Sequence, residues 1–171
     1  LPNVKILDFS LSVGDSWSMD VSSGGLEPMK ITVTIQSNTE TVSVPAGEFS
    51  NCLNTKIVTS EEPKDCDERL SGTREFIYAP GVGLVKSTFV RRDGAVGIAQ
   101  LVSYSISNGG EDYFPLVLGN KWSYEWANAE GSFPSTDIYE VTGLDKNVQT
   151  STNVIGDRYY LSHYFYAFAQ S

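Results

Sequence analysis

Over residues 29–37, Ile31, Val33 and Ile35 alternate with Lys30, Thr32, Thr34 and Gln36. This period of two predicts a strand with one dry and one wet face. Ser37-Asn38-Thr39 reads as a turn into a second strand over 40–44, where Val42 and Val44 keep the alternation. Pro45-Ala46-Gly47 ends that strand, because proline cannot donate to a ladder and glycine accepts positive φ. A further strand is expected over 52–59, with Leu53 and Ile57 on one side, and another over 73–79. Residues 60–72 between them carry Glu61, Glu62, Asp65, Asp67 and Glu68 and read as an exposed connection.

Asp93-Gly94 suits a two-residue type I′ turn. With that loop Arg92 faces Ala95, Phe89 faces Ile98 and Val85 faces Val102, which places four apolar residues on one face. Pro80-Gly81 suits the central positions of a type II turn. Near the end of the chain Tyr159, Tyr160, Tyr164, Phe165, Tyr166 and Phe168 occupy both faces of any strand drawn through them. Such a strand is expected to be central and covered on both sides, or else to leave one face for a partner or ligand.

One pattern occurs twice. Leu11-Ser12-Val13-Gly14-Asp15-Ser16-Trp17-Ser18-Met19-Asp20 aligns with Leu116-Val117-Leu118-Gly119-Asn120-Lys121-Trp122-Ser123-Tyr124-Glu125, sharing Leu, x, Val/Leu, Gly, Asp/Asn, x, Trp, Ser, a large apolar residue and an acid. The reading is an internal repeat with a first β unit at 1–108 and a truncated second unit at 109–171 packed on it, joined through the polar stretch 107–111. Both Trp17 and Trp122 are expected to be buried, with their indole N–H groups satisfied.

Composition agrees with the pattern. Val, Ile and Thr number 16, 9 and 12 against 8 Ala, and 21 Ser with 15 Gly supply turns. The expected fold is all-β, a curved antiparallel sheet or open barrel of hairpins with a partial second copy of the repeat unit. With 12 Lys and Arg against 21 Asp and Glu, the net charge of -9 speaks against a nucleic-acid partner, since phosphate binding needs clustered cations and only Arg91-Arg92 are adjacent. No apolar run reaches the roughly 18 residues of a membrane span. The chain starts at Leu1 without a signal segment and reads as a fragment of a longer protein.

Catalytic and metal chemistry find little to work with. His163 is the one histidine, so any Ser-His-Asp or Cys-His arrangement must use it; in an apolar strand it reads as a packed side chain. Gly-x-Ser-x-Gly is absent. Asp65-Cys66-Asp67-Glu68 reads as a solvated loop before a weak calcium site, and Gly81-Val82-Gly83 leads into a strand where a phosphate loop needs a helix. Cys52 and Cys66 are expected to lie close enough to bond. If joined, they close a loop of about 14 residues worth about 3 kcal/mol; if reduced, Cys52 belongs to the core and Cys66 to the loop. No catalytic, cofactor-binding or metal-binding residue is assigned, and no cofactor is expected.

Val44-Pro45-Ala46-Gly47-Glu48-Phe49, Tyr78-Ala79-Pro80-Gly81-Val82-Gly83-Leu84-Val85-Lys86 and the opening Gly-Asp-x-Trp segment resemble, in order, the turns of a bacterial cell-envelope family of unknown function. The resemblance covers the first unit and only the opening of the second. It implies a secreted or lipoprotein β-domain, similar in fold to bacterial lipoprotein carriers such as LolA and LolB, located in the cell envelope or outside the cell. The resulting expectation is a non-enzymatic module binding an apolar ligand or a protein partner. The alternatives are a structural repeat of a larger surface protein, or a hydrolase using an unidentified carboxylate pair.

Overall fold

The computed structural model describes residues 11–21, 29–61, 72–107, 110, 112–128, 135–149 and 155–167. Nine strands run through them: β1 (Ser16–Val21), β2 (Met29–Val44), β3 (Gly47–Glu61), β4 (Thr73–Ala79), β5 (Gly83–Val90), β6 (Val96–Ser105), β7 (Lys121–Asn128), β8 (Ser135–Gln149) and β9 (Ile155–Ala167). Every strand pairs antiparallel with its neighbour in sequence, giving one sheet in the order β1 to β9 that does not close into a barrel. The all-β expectation therefore holds, in its open-sheet form. No helix among the described residues is long and apolar enough to cross a membrane, which leaves spanning by strands untouched.

Alternation carries one face across the whole sheet. Ile35 pairs with Thr55, Thr55 with Phe76, Phe76 with Ser87, Ser87 with Ala99, Ala99 with Trp126 and Trp126 with Ser135. Because side chains of directly opposed residues share a face, this row and its neighbours build one dry surface. Val33, Val85, Leu101 and Val141 are fully buried. The opposite face holds pairs such as Ser18 with Thr32, whose hydroxyls lie 2.8 Å apart, and Lys121 with Glu140 at 3.6 Å.

The expected turn at Ser37-Asn38-Thr39 is not there. β2 runs through it, and the register against β3 shifts between Ile35 and Ser37 and again between Ser37 and Glu40. Bulges absorb extra residues and bend a strand without reversing it. The far half of the β2–β3 hairpin folds over, Ala46 N donating to Leu101 O at 3.0 Å, and closes Val42 and Phe49 on Ile77, Ala79, Val85 and Leu101. Cys52 belongs to this cluster as a free, buried thiol donating to Phe49 O at 3.4 Å. Burial, and then the Glu40 carboxylate across the ladder, push that thiol above its usual range. Of the two states left open for Cys52, the structure has the free thiol in the core; Cys66, and with it the expected proximity of the two, lies outside the described residues, as does the acidic loop around it.

The β5–β6 hairpin is one residue out of the expected register. Arg91 N donates to Ala95 O and Gly94 N to Arg91 O, which makes a three-residue loop with Gly94 at φ +88°. Asp93 decides this. Its Oδ1 accepts from Ala95 N at 3.0 Å and its Oδ2 pairs with Arg91 Nη2 at 2.7 Å, so the side chain builds the bulged turn that a type I′ loop would exclude. Phe89 consequently faces Gly97, and Ile98 faces Thr88 on the other side of the sheet. The Ala79–Val82 turn meets expectation, with Val82 N donating to Ala79 O and Gly81 at φ +73°.

Candidate functional site

The repeated decapeptides make the same turn. Asp15 N donates to Ser12 O and Asn120 N to Val117 O; Gly14 N donates to Ile35 O and Gly119 N to Val141 O; Ile35 N and Val141 N return bonds to Asp15 O and Asn120 O. Gly14 and Gly119 stand at φ +94° and +86°, which is why both copies carry glycine there. The likeness goes further than the sequence pattern. Val33 pairs with Ile57 as Tyr139 pairs with His163, Ile35 with Thr55 as Val141 with Leu161, and the register shift after Ile35 recurs after Val141. β7–β9 therefore reproduce β1–β3, bulge included. β9 pairs with β8 and stands last in the sheet, so it is not the central strand expected from its aromatics. The side chains of Tyr159, Tyr160, Tyr164, Phe165 and Tyr166, and the whole of Phe168, lie outside the described residues.

The two copies differ in what their dry face carries. In the first, Ile35, Leu53 and Tyr78 form a small cluster with Trp17 partly buried against it. Trp17 is half-buried, short of the expected burial; among the described residues β1 is the first strand of the sheet and pairs with β2 alone. Trp122, between β6 and β8, is 7% exposed, and its Nε1 donates to Val82 O at 2.6 Å. Asn120 is fully buried: its Nδ2 donates to Pro115 O at 2.7 Å and its Oδ1 accepts from Ser107 N at 2.9 Å and Ser107 Oγ at 3.2 Å. This one amide ties both ends of the β6–β7 connection to the sheet. Between those ends Tyr113 Oη donates to Asn51 O, Gly81 N donates to Asp112 O, and Phe114 meets Tyr78 edge-on at 6.4 Å.

The connection thereby walls one side of a groove of about 220 Å³, bounded by Phe114, Leu116, Trp122, Tyr124, Trp126 and Leu161, with Ala99 and Ser87 at its base. Leu161 and Phe114 stand 45% and 44% exposed at its rim. Tyr124 Oη donates to Leu84 O at 2.9 Å, and its ring meets Tyr139 edge-on at 5.8 Å. Tyr139 in turn stacks on His163 at 4.5 Å and 7°. His163 is therefore no packed core residue: its side chain is 47% exposed, with Nε2 3.2 Å from Oδ1 of Asp137, whose own side chain is 8% exposed. That Oδ1 accepts no aligned hydrogen bond. Asp137 stands directly across from Tyr124. The sequence offered no signal for it beyond being one of 21 acids.

Burial pushes the Tyr78 and Tyr124 phenols well above their usual range, and burial followed by the Asp137 carboxylate raises Tyr139. In the unfolded chain these phenols titrate near about 10. The folded state holds their protons more tightly, so its stability is complete below about pH 10 and drains away above it, at about 1.4 kcal/mol per pH unit for each of the two deeply buried rings. The urea midpoint is expected to hold up to about pH 8, soften as the Cys52 thiol titrates in the unfolded chain, and fall steeply above about pH 10, where Tyr124→Phe should remove about 1.4 kcal/mol per pH unit of the slope. A wild-type midpoint unchanged at strongly alkaline pH would contradict this assignment.

Among the described residues no three His, Cys, Asp or Glu side chains converge as metal ligands. No protein-family model, curated protein or solved structure matches the chain.

Proposed function

We propose that the protein is a non-enzymatic binding module of the bacterial envelope or the extracellular space, and that it holds an apolar ligand in the groove, whose wall comes mostly from the second unit and whose base comes from the first. The observation that supports this most is the composition of the wall: eight large apolar or aromatic side chains converge on one volume, two of them half-exposed at its rim. Exposed apolar area of this kind is costly to leave in water and marks binding sites more often than chance. Envelope placement draws support only from the turn motifs over 44–49 and 78–86.

A volume near 220 Å³ lies below the usual range of about 300–1,000 Å³ for drug-sized ligands. It suits one ring, a short aliphatic chain, or a side chain presented by a protein partner. The test is titration of the intrinsic fluorescence of Trp122 and Trp126 with straight-chain alcohols from hexanol to decanol. Saturable binding that tightens with chain length, and weakens about three- to tenfold in Leu161→Ala, is the expected result. A linear, unsaturable response would end this reading. The reproduction of β1–β3 by β7–β9 favours the second reading, a structural repeat of a larger surface protein, which would then stand alone.

A further inference from the structure

We propose that the groove is a cation site, in which the aromatic wall takes an apolar ligand bearing an ammonium head and the buried Asp137 carboxylate, behind Tyr124 and Tyr139, adds its negative field; this rests on the apolar-ligand reading above. Phe114, Trp122, Tyr124, Trp126 and Tyr139 surround one volume, and no Lys or Arg is among the lining residues. Aromatic faces carry partial negative charge, and several turned on one space form the cage that recognises ammonium groups. Asp137 does not line the groove itself. It sits across the ladder from Tyr124 and two residues along β8 from Tyr139, both of which do.

Two observations bear on Asp137, whose unaligned buried oxygen has an acid counterpart in Glu40 Oε2. A carboxylate 6% exposed is expensive unless its oxygens are satisfied, yet Oδ1 has His163 Nε2 at 3.2 Å without hydrogen-bond alignment. The first unit shows that the fold has no need of polar groups here. By the shared register, Ile31, Val33 and Ile57 stand where the second unit has Asp137, Tyr139 and His163. An aliphatic row has thus been exchanged for an acid, a phenol and an imidazole beside the groove. The net charge of -9 adds a long-range pull on cations.

The experiment compares three ligands of one shape at about 0.15 M salt, where long-range fields are screened. They are benzyltrimethylammonium, its uncharged carbon isostere neopentylbenzene, and the anion phenylmethanesulfonate, each followed by tryptophan fluorescence and calorimetry. A single ring fits, since dry cavities of about 150 Å³ hold benzene. The cation is expected to bind about tenfold tighter than the isostere and the anion weakest. Asp137→Asn should bring cation and isostere within about twofold while leaving all but one of the protein's acids in place. Asp137→Ile, which installs the residue of the first unit, should do the same and melt cooperatively, so a folding failure of the first variant cannot hide the answer. Equal binding of cation and isostere to the wild type, or an undiminished preference in both variants, would overturn the cation site while leaving an apolar groove. Binding of none of the three would overturn both readings.

Discussion

Asn120→Asp is expected to lower the free energy of unfolding by about 3–5 kcal/mol, a large effect for a change that leaves the side-chain shape intact. The amide is fully buried and works in both directions, donating to Pro115 O and accepting from Ser107 N and Oγ. A carboxylate keeps the two accepted bonds but turns an oxygen toward the Pro115 carbonyl, and it places a charge at a fully buried position. A lost buried bond leaves an unsatisfied group worth about 1–3 kcal/mol, and the buried charge adds several more unless it protonates. The sign with pH follows. The buried carboxyl would have its folded pKa raised above the unfolded value of about 3.9, so the deficit is full at neutral pH and shrinks as pH falls toward that value, where an O–H can again donate to Pro115 O. Asp15 supplies the control. It occupies the same turn position in the first unit, but it is exposed and its Oδ2 only accepts from Ser12 N at 2.9 Å. Asp15→Asn is expected to change stability by less than about 1 kcal/mol. Urea unfolding of the two variants at pH 7 and pH 4.5 measures both effects, and equal changes at the two sites would contradict the stapling role of Asn120.

Trp122→Ala should cost about 3–5 kcal/mol, and Trp17→Ala no more than about half of that. Trp122 is packed with Leu101, Tyr124 and Val141 in the larger cluster and lies over Gly83, where even a Cβ would come within 3.4 Å of its Nε1. Removing it leaves a cavity continuous with the groove and an unpaired Val82 carbonyl. Trp122→Phe keeps most of the ring and loses the N–H, so about 1–2 kcal/mol is expected from that bond and the smaller volume. Trp17 is half-buried against Ile35 and Leu53, and among the described residues its strand pairs on one side only, with β2. Equal losses for the two tryptophans in urea unfolding would mean that the two units bury their shared position alike, against the geometry described above.

The aromatic groove and the acid beside it had no legible trace in the chain. Asp137, Tyr139 and His163 become neighbours because β8 and β9 pair in one register, and each lies in a stretch whose residues show no likeness to their counterparts Ile31, Val33 and Ile57. Leu116, Trp122 and Tyr124 stand inside the repeated decapeptide, and Gly83 and Leu84 inside the 78–86 motif, but both patterns concerned turns. Ser107 and Pro115, which Asn120 joins, are likewise ordinary linker residues until the sheet brings them to one amide.

Taken alone, the chain determined what is decided within a few residues. The alternation of Ile31, Val33 and Ile35 gave a strand, Pro80-Gly81 gave its turn, and the paired Gly-Asp and Gly-Asn steps gave two identical strand entries, because φ preferences and side-chain bonds to nearby backbone act locally. Tertiary structure decided what depends on partners across the ladder. It ran β2 through Ser37-Asn38-Thr39 with bulges, since both halves have β3 to pair with. It set the β5–β6 register by one residue through Asp93, so that Ile98 went to the face opposite Phe89. It also extended the repeat from ten residues to three strands. Backbone hydrogen bonds are indifferent to side-chain identity, so β7–β9 can copy the geometry of β1–β3 while exchanging an aliphatic row for Asp137, Tyr139 and His163.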